Sequence, residues 1–427
     1  MNKSIIICLC VFFALSVKAQ NNNSPYSIIG IGDIESSSFD RTSGMGNTGV
    51  ALWGTRSIYQ DNPASFARLK NDTLNGVPTT SFIIEIGARY NGVTYSGNPI
   101  TNSTDNNSSD LQFKKIVFAI KLRPKWAFSL GLLPYSSNNY SFFQTQQIVG
   151  GSVPSYVQGS GNTSQFYIAN SFAVNKHLSF GIHTALIFGQ FGQVQTISAV
   201  NQSDSVLTTN TNYSVHAPYI KFGVQYNKDI TSKLNVAAGA TMALQSKLNG
   251  LYDLSVLNGN STIKTEDTTV NNYFTIPVSY KGGLAATYAQ KYTLAADYSF
   301  QPWGNLNQKD PGSNLGYKLV NSQRFSIGGQ YSNKVTFPNK VVFEKYFLQG
   351  GFYYNNSYLE VNGTQINDVG GSIGAGFNTL KGLGISGALT IGSRGTTNMN
   401  LVKENYTRFN ITISYHDFWL TAKKKYL

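Results

Sequence analysis

Phe409, Ile411, Ile413 and Tyr415 alternate with Asn410, Thr412 and Ser414. Successive side chains of a strand point to opposite faces, so this spacing makes one apolar face and one polar face. Other segments carry the same period. Ile220, Phe222, Val224 and Tyr226 oppose Lys221, Gly223 and Gln225. Leu294, Ala296, Tyr298 and Phe300 oppose Ala295, Asp297 and Ser299. The pattern predicts strands at 79–90, 111–122, 126–141, 162–174, 178–193, 211–226, 233–246, 273–288, 291–302, 316–331, 344–356, 366–378, 382–394 and 403–417. That is an even number, as a closed single-chain barrel requires. The expected fold is all-β: a 14-stranded antiparallel transmembrane β-barrel with residues 78–427 in the wall. Apolar faces meet lipid, and small or polar faces line the lumen.

The connections support a barrel. Arg123-Pro124-Lys125, Asn175-Lys176-His177 and Thr379-Leu380-Lys381 are short. Residues 91–110, 142–161, 194–210, 247–272 and 303–315 read as long loops rich in Asn, Ser, Thr and Gly. Outer-membrane barrels have this asymmetry, with short periplasmic turns and longer external loops. A soluble sandwich has no reason to keep it.

Residues 1–19 read as a signal peptide. Lys3 starts it, Ile5 to Val17 is nearly all apolar, and Val17-Lys18-Ala19 suits a cut before Gln20. The apolar run is shorter than the roughly 20 residues that span a bilayer. The expected location is the outer membrane of a Gram-negative cell. Both cysteines, Cys8 and Cys10, would be lost with the signal, which excludes disulfides, zinc–thiolate sites and cysteine nucleophiles from the mature chain.

Charged residues make up 12% of the chain and aromatic ones 13%. A soluble domain carries about 25% charge. Low charge with abundant Tyr, Phe and Gly suits a barrel with aromatic girdles. The formal charge of +13 drops by two without Lys3 and Lys18. In an exported chain with scattered basic residues, this excess points to membrane lipid and lipopolysaccharide phosphates rather than nucleic acid.

Residues 20–77 lack the alternation. They hold Gly44-Met45-Gly46-Asn47-Thr48-Gly49, which matches G-x-G-x-x-G, but no buried strand precedes it as a dinucleotide site requires. Gly44, Gly46 and Gly49 therefore read as a tight backbone path, and no cofactor is expected. No metal-ligand spacing joins His177, His183, His216 and His416. The chain is not read as an enzyme, although a hydrolase assembled on a barrel rim needs no local motif.

The same region carries a resemblance. Ser24-Pro25-Tyr26-Ser27, Gly30-Ile31-Gly32-Asp33, the glycine run through Ala51, and Asn62-Pro63-Ala64-Ser65 resemble the N-terminal region of the FadL-like outer-membrane proteins of the Bacteroidota. These are similar to the long-chain fatty acid transporter FadL and to PorV, a secretion-associated protein. The closing segment, from Ile391-Gly392-Ser393-Arg394 to Trp419 and Lys423-Lys424-Lys425, is also similar. The resemblance implies that residues 20–77 form a hatch inside the barrel, with Asn62, Pro63 and Ala64 in it. The local alternative is an ordinary Asn-Pro turn.

Pro134 interrupts the third expected strand. It reads as a bulge at the membrane rim, where such irregularities are frequent. By the resemblance, it marks an inward kink that opens a lateral path from lumen to membrane. The functions that follow are passive uptake of an apolar molecule, such as a fatty acid or an aromatic hydrocarbon, or a non-transporting place in an envelope machine with protein partners. A rim hydrolase is the third.

Overall fold

A computed structural model describes residues 24–69, 73–74, 77–78, 80–97, 106–148, 151–198, 206–306, 316–336 and 342–419. The expected signal peptide and Lys423-Lys424-Lys425 lie outside these residues. The structure is a closed antiparallel barrel of 14 strands. The wall consists of β1 (Thr80–Gly97), β2 (Asn107–Arg123), β3 (Trp126–Ser137, then Tyr140–Ile148), β4 (Gly151–Ala173), β5 (Leu178–Ser198), β6 (Val206–Asp229) and β7 (Leu234–Ala243, then Ser246–Asn258). It continues through β8 (Ser261–Ile276, then Ser279–Tyr288), β9 (Tyr292–Gln301), β10 (Tyr317–Leu319, then Ser322–Thr336), β11 (Val342–Val361), β12 (Thr364–Asn378), β13 (Leu383–Arg394) and β14 (Val402–Trp419). β14 closes the barrel on β1, with Phe409 opposite Tyr90 and Ile413 opposite Ile86.

Alternation decides which way each side chain points. Leu294 is 59% exposed and Ile373 63%, whereas Asp297 and Ser372 are buried. Phe409, Ile411, Ile413 and Tyr415 are all exposed on the outer face, and Asn410 is buried inside. A one-residue slip would exchange these sets, which fixes the register.

Two departures from the sequence reading have physical causes. Residues 142–161, 194–210 and 247–272, expected as loops, are mostly strand. β5 and β6 pair as far as Ser198 opposite Val206, and β6 and β7 as far as Leu207 opposite Asn258. At Ser261–Thr269 every residue is exposed, so both faces meet water. No apolar face remains there to show a period of two. Secondly, four strands break and change phase, at Asn138-Asn139, Leu244-Gln245, Pro277-Val278 and Val320-Asn321. Met242 faces outward, but Leu248, six residues on, is fully buried; Tyr280 faces outward, but Ile276 and Phe274 are buried. The inverted side chains join Ile31, Trp303 and Tyr135 in an apolar core within the lumen.

The N-terminal segment packs inside the wall. Three short 3₁₀ helices, Pro25–Ile28, Arg41–Met45 and Pro63–Arg68, carry most of its ordered backbone. Ile58, Phe66 and Leu69 pack on Ile83, Val117, Ala119 and Tyr167 of β1, β2 and β4. Met45, Ala51 and Leu52 pack on Ala237, Ala285 and Ala295 of β7, β8 and β9. Small inward side chains make room for this irregular chain.

Candidate functional site

The glycine run and Asn62 meet in the lumen. Gly46 has a left-handed backbone (φ 67°), and a Cβ there would sit 2.8 Å from the Phe352 carbonyl oxygen. Its N–H donates to Ser372 Oγ at 2.8 Å. The Gly49 and Val50 amides donate to Asp297 at 2.7 and 3.1 Å. Asn62 is fully buried. Its Nδ2 donates to the carbonyls of Val50 and Val224, both at 2.9 Å, and its Oδ1 accepts from the Ala64 amide at 3.0 Å. Asn62 thus caps the Pro63–Arg68 helix and ties it both to the glycine stretch and to β6. On β6, Gly223 lies against Asn62 and the Pro63 ring, and any side chain there would collide. Asp40 joins the two stretches, accepting from the Thr42 and Gln60 amides at 2.8 Å each. Gly44, Gly46, Gly49, Asn62, Pro63 and Ala64 therefore lie in the internal segment, against inward faces of the wall.

Ion pairs fasten the same segment. Asp33 and Arg394 form a two-point pair at 2.6 and 2.7 Å. Arg41 reaches Glu344 at 2.7 Å and lies 3.7 Å over the Phe347 ring. Asp61 pairs with Lys281. Lys281 and Lys221 outweigh the effect of burial on Asp61 and hold its pKa low. Glu35 pairs with Arg89 at 3.0 Å and with Lys114 at 3.6 Å. Burial alone would raise the Glu35 pKa, but Arg89, Lys114 and Arg408 overcome it and bring it down to about 2. Sequence reading missed these contacts. Their signal is a charged residue at an inward strand position, which must find a partner when buried.

Pro134 sits where the wall departs from regularity. β2 and β3 pair from Arg123 opposite Trp126 to Ile116 opposite Leu132, and no further towards Pro134 among the described residues. Tyr135 is the extra residue of a bulge against β4, between Pro134 opposite Ser164 and Ser136 opposite Thr163. Beyond it, Ser136 and Ser137 pair with Ile34 and Asp33 of the internal segment. The Glu35 amide donates to the Tyr135 carbonyl at 2.9 Å. β3 therefore leaves β2 after Leu132 and forms its next ladder with the internal chain. Among the described residues, the stretch of β2 from Asn107 to Lys115 has no ladder partner on that side. A cavity of about 360 Å³ is lined by Gln112 and Lys114 of β2, Leu133, Pro134 and Tyr135 of β3, and Glu35. It thus borders both sides of the unpaired stretch.

Among the described residues, no group of three His, Cys, Asp or Glu could hold a metal. His183 stacks on Tyr167, with ring centroids 4.5 Å apart.

Comparison with known proteins adds a family to this geometry. The family model BamG matches residues 1–426. The chain belongs to the BamG family. Solved structures share its architecture. A Pseudomonas aeruginosa FadL homologue aligns with a TM-score of 0.59 at 13% identity, over 90% of this chain and 98% of that one. The Ralstonia pickettii toluene transporter TbuX aligns with a TM-score of 0.57 at 15% identity, over 89% and 97%. The Pseudomonas putida toluene transporter TodX gives 0.57 at 15%, over 91% and 99%. At such identities the likeness concerns the fold, which is FadL-like in this BamG-family chain. None of the curated proteins compared matches it in sequence.

Proposed function

We propose that this chain is an outer-membrane barrel for passive uptake of hydrophobic small molecules, with Pro134 at a lateral opening and residues 24–69 as its hatch. One observation carries the reading: the β2–β3 ladder ends at Leu132, and a cavity borders the unpaired stretch from inside. A missing ladder in a barrel wall is a place where a molecule can pass sideways, because no row of backbone hydrogen bonds has to break. The cavity offers Leu133, Pro134 and Tyr135 to an apolar body. Arg89, Lys114 and Arg408 face it with Glu35 among them. A fatty acid, with its apolar tail and carboxylate, fits this mixture better than a plain hydrocarbon does. The solved relatives in fold include toluene transporters, which supports an apolar ligand. Passage needs binding and release only, and no covalent step.

The test is uptake by intact cells of the parent, of a Pro134→Ala strain and of a strain lacking the protein. Alanine restores a backbone donor and favours a regular ladder, so uptake of a long-chain fatty acid should slow. Loss of the protein should abolish the saturable part. Equal uptake in all three strains would refute transport.

A second reading has its own support. The Asp33, Glu35, Arg41 and Asp61 pairs clamp the internal segment to five strands of the wall. A barrel closed this firmly suits a subunit of an envelope machine in secretion or assembly. Equal uptake together with an assembly or secretion defect in the deletion strain would favour it.

A further inference from the structure

The short-turn end of the lumen, periplasmic in barrels of this kind, holds a second cavity, of about 660 Å³. The loop from Leu52 to Tyr59 lies along it, and strand ends and turns form its walls. Six Arg or Lys residues line it against two carboxylates, Asp229 and Glu344. Both carboxylates are engaged. Glu344 holds Arg41, and Asp229 accepts from Asn235 Nδ2 at 2.8 Å. Among the described residues, Arg68, Lys176, Lys228 and Lys334 form no ion pair. Arg68 donates through Nη1 to the Lys176 carbonyl at 2.7 Å. Its Nε and Nη2 are enclosed and have no partner among the described residues. A guanidinium with two enclosed and unmet donors is costly unless something accepts from them.

The placement of the cations selects among anions. Lys176 belongs to the β4–β5 turn and Lys228 to the end of β6, whereas Lys334 belongs to β10. β6 and β10 lie four strands apart, and the β4–β5 turn five to six strands from β10, around a 14-stranded barrel. A single small anion reaches one wall only. An extended chain with several carboxylates spans both, and Trp53 and Phe343 offer it apolar contacts. We propose that the periplasmic mouth of the barrel binds an acidic peptide segment of a periplasmic protein, held between Arg68 of the internal segment with Lys176 and Lys228 of the wall on one side and Lys334 on the other. The site is separate from the β2–β3 cavity and does not depend on transport.

The probe is fluorescein-labelled hexaglutamate, with anisotropy measured on the full chain in a zwitterionic detergent. Saturable binding is expected. Arg68→Gln and Lys334→Gln should each weaken it about five- to tenfold, as loss of a charge-assisted hydrogen bond does. Lys228→Gln, at the exposed end of β6 where folding is not at risk, should weaken it in the same direction. Lys264→Gln, on the exposed β7–β8 hairpin at the other end, should change nothing. Heat-dependent gel migration checks that each variant is folded. Absence of binding overturns the proposal. So does equal weakening by Lys264→Gln, which would mean diffuse attraction. Displacement by inorganic phosphate at matched charge would also overturn it, showing a small-anion site.

Discussion

Asn62→Ala tests how the internal segment is held. Asn62 is fully buried and makes three hydrogen bonds, two to carbonyls and one from the Ala64 amide. Alanine leaves the Ala64 N–H without its acceptor and removes the side-chain link from the cap of Pro63–Arg68 to the Val224 carbonyl. One buried unmet donor costs about 1–3 kcal/mol, and two weakened carbonyls add to it, so about 3 kcal/mol is a fair total. Each 1.4 kcal/mol is about tenfold, so the undocked population should rise about a hundredfold. The barrel ladder itself is untouched, so the strands should stay folded. The reporter is Ser65→Cys. Ser65 is buried beside Asn62, and the only native cysteines, Cys8 and Cys10, precede the expected cleavage point. Thiol labelling is measured in folded protein with and without Asn62→Ala. An increase of less than about threefold would refute the claim that Asn62 anchors the segment.

Other outcomes follow from the same contacts. Glu35 has its folded pKa lowered to about 2, so its stabilisation is full above the unfolded carboxylate value of about 4.3 and is lost as pH falls towards 2. Pepsin cleavage within residues 24–69 should therefore rise between pH 4 and 2, and Glu35→Gln should flatten that dependence. Ile373→Arg, on the outer face of β12, should cost about 2–4 kcal/mol if it lies at the bilayer midplane; an unchanged urea midpoint in detergent and in lipid would place it outside the membrane band. Gly223→Leu should displace the Asn62 stretch and raise the Ser65→Cys labelling rate, whereas a rate equal to the parent's would contradict the close packing of Pro63 on β6. Mass spectrometry of the mature chain should find Gln20 at its start, and an intact Lys18 would contradict the cleavage reading.

The wall was legible because lipid on one side and a filled lumen on the other impose a period of two. The fourteen strands and the faces of Phe222, Leu294, Ile411, Gln225 and Asp297 all follow from it. Legibility failed where that contrast disappears. Ser261–Thr269 is wet on both faces, so its strand looks like a loop. The phase reversals at Leu244-Gln245 and Pro277-Val278 hid the inward turn of Leu248, Phe274 and Ile276. The placing of Asn62 and the glycine run in the lumen was expected only through resemblance, since their wall partners lie more than a hundred residues away on β6, β9, β11 and β12. The ion pairs of Asp33, Glu35, Arg41 and Asp61 join residues distant in sequence, and only their wall partners, charged at inward strand positions, carry a trace of them.

The most direct test of the transport reading is photolabelling of the full chain in proteoliposomes with a diazirine-bearing long-chain fatty acid, followed by peptide mapping. The account predicts labels on Gln112–Lys114 of β2 and Leu133–Tyr135 of β3, which an excess of unlabelled fatty acid removes. Labels confined to outward residues such as Leu294 and Ile373, unchanged by that excess, would show only the lipid belt and would contradict a lateral route through the wall.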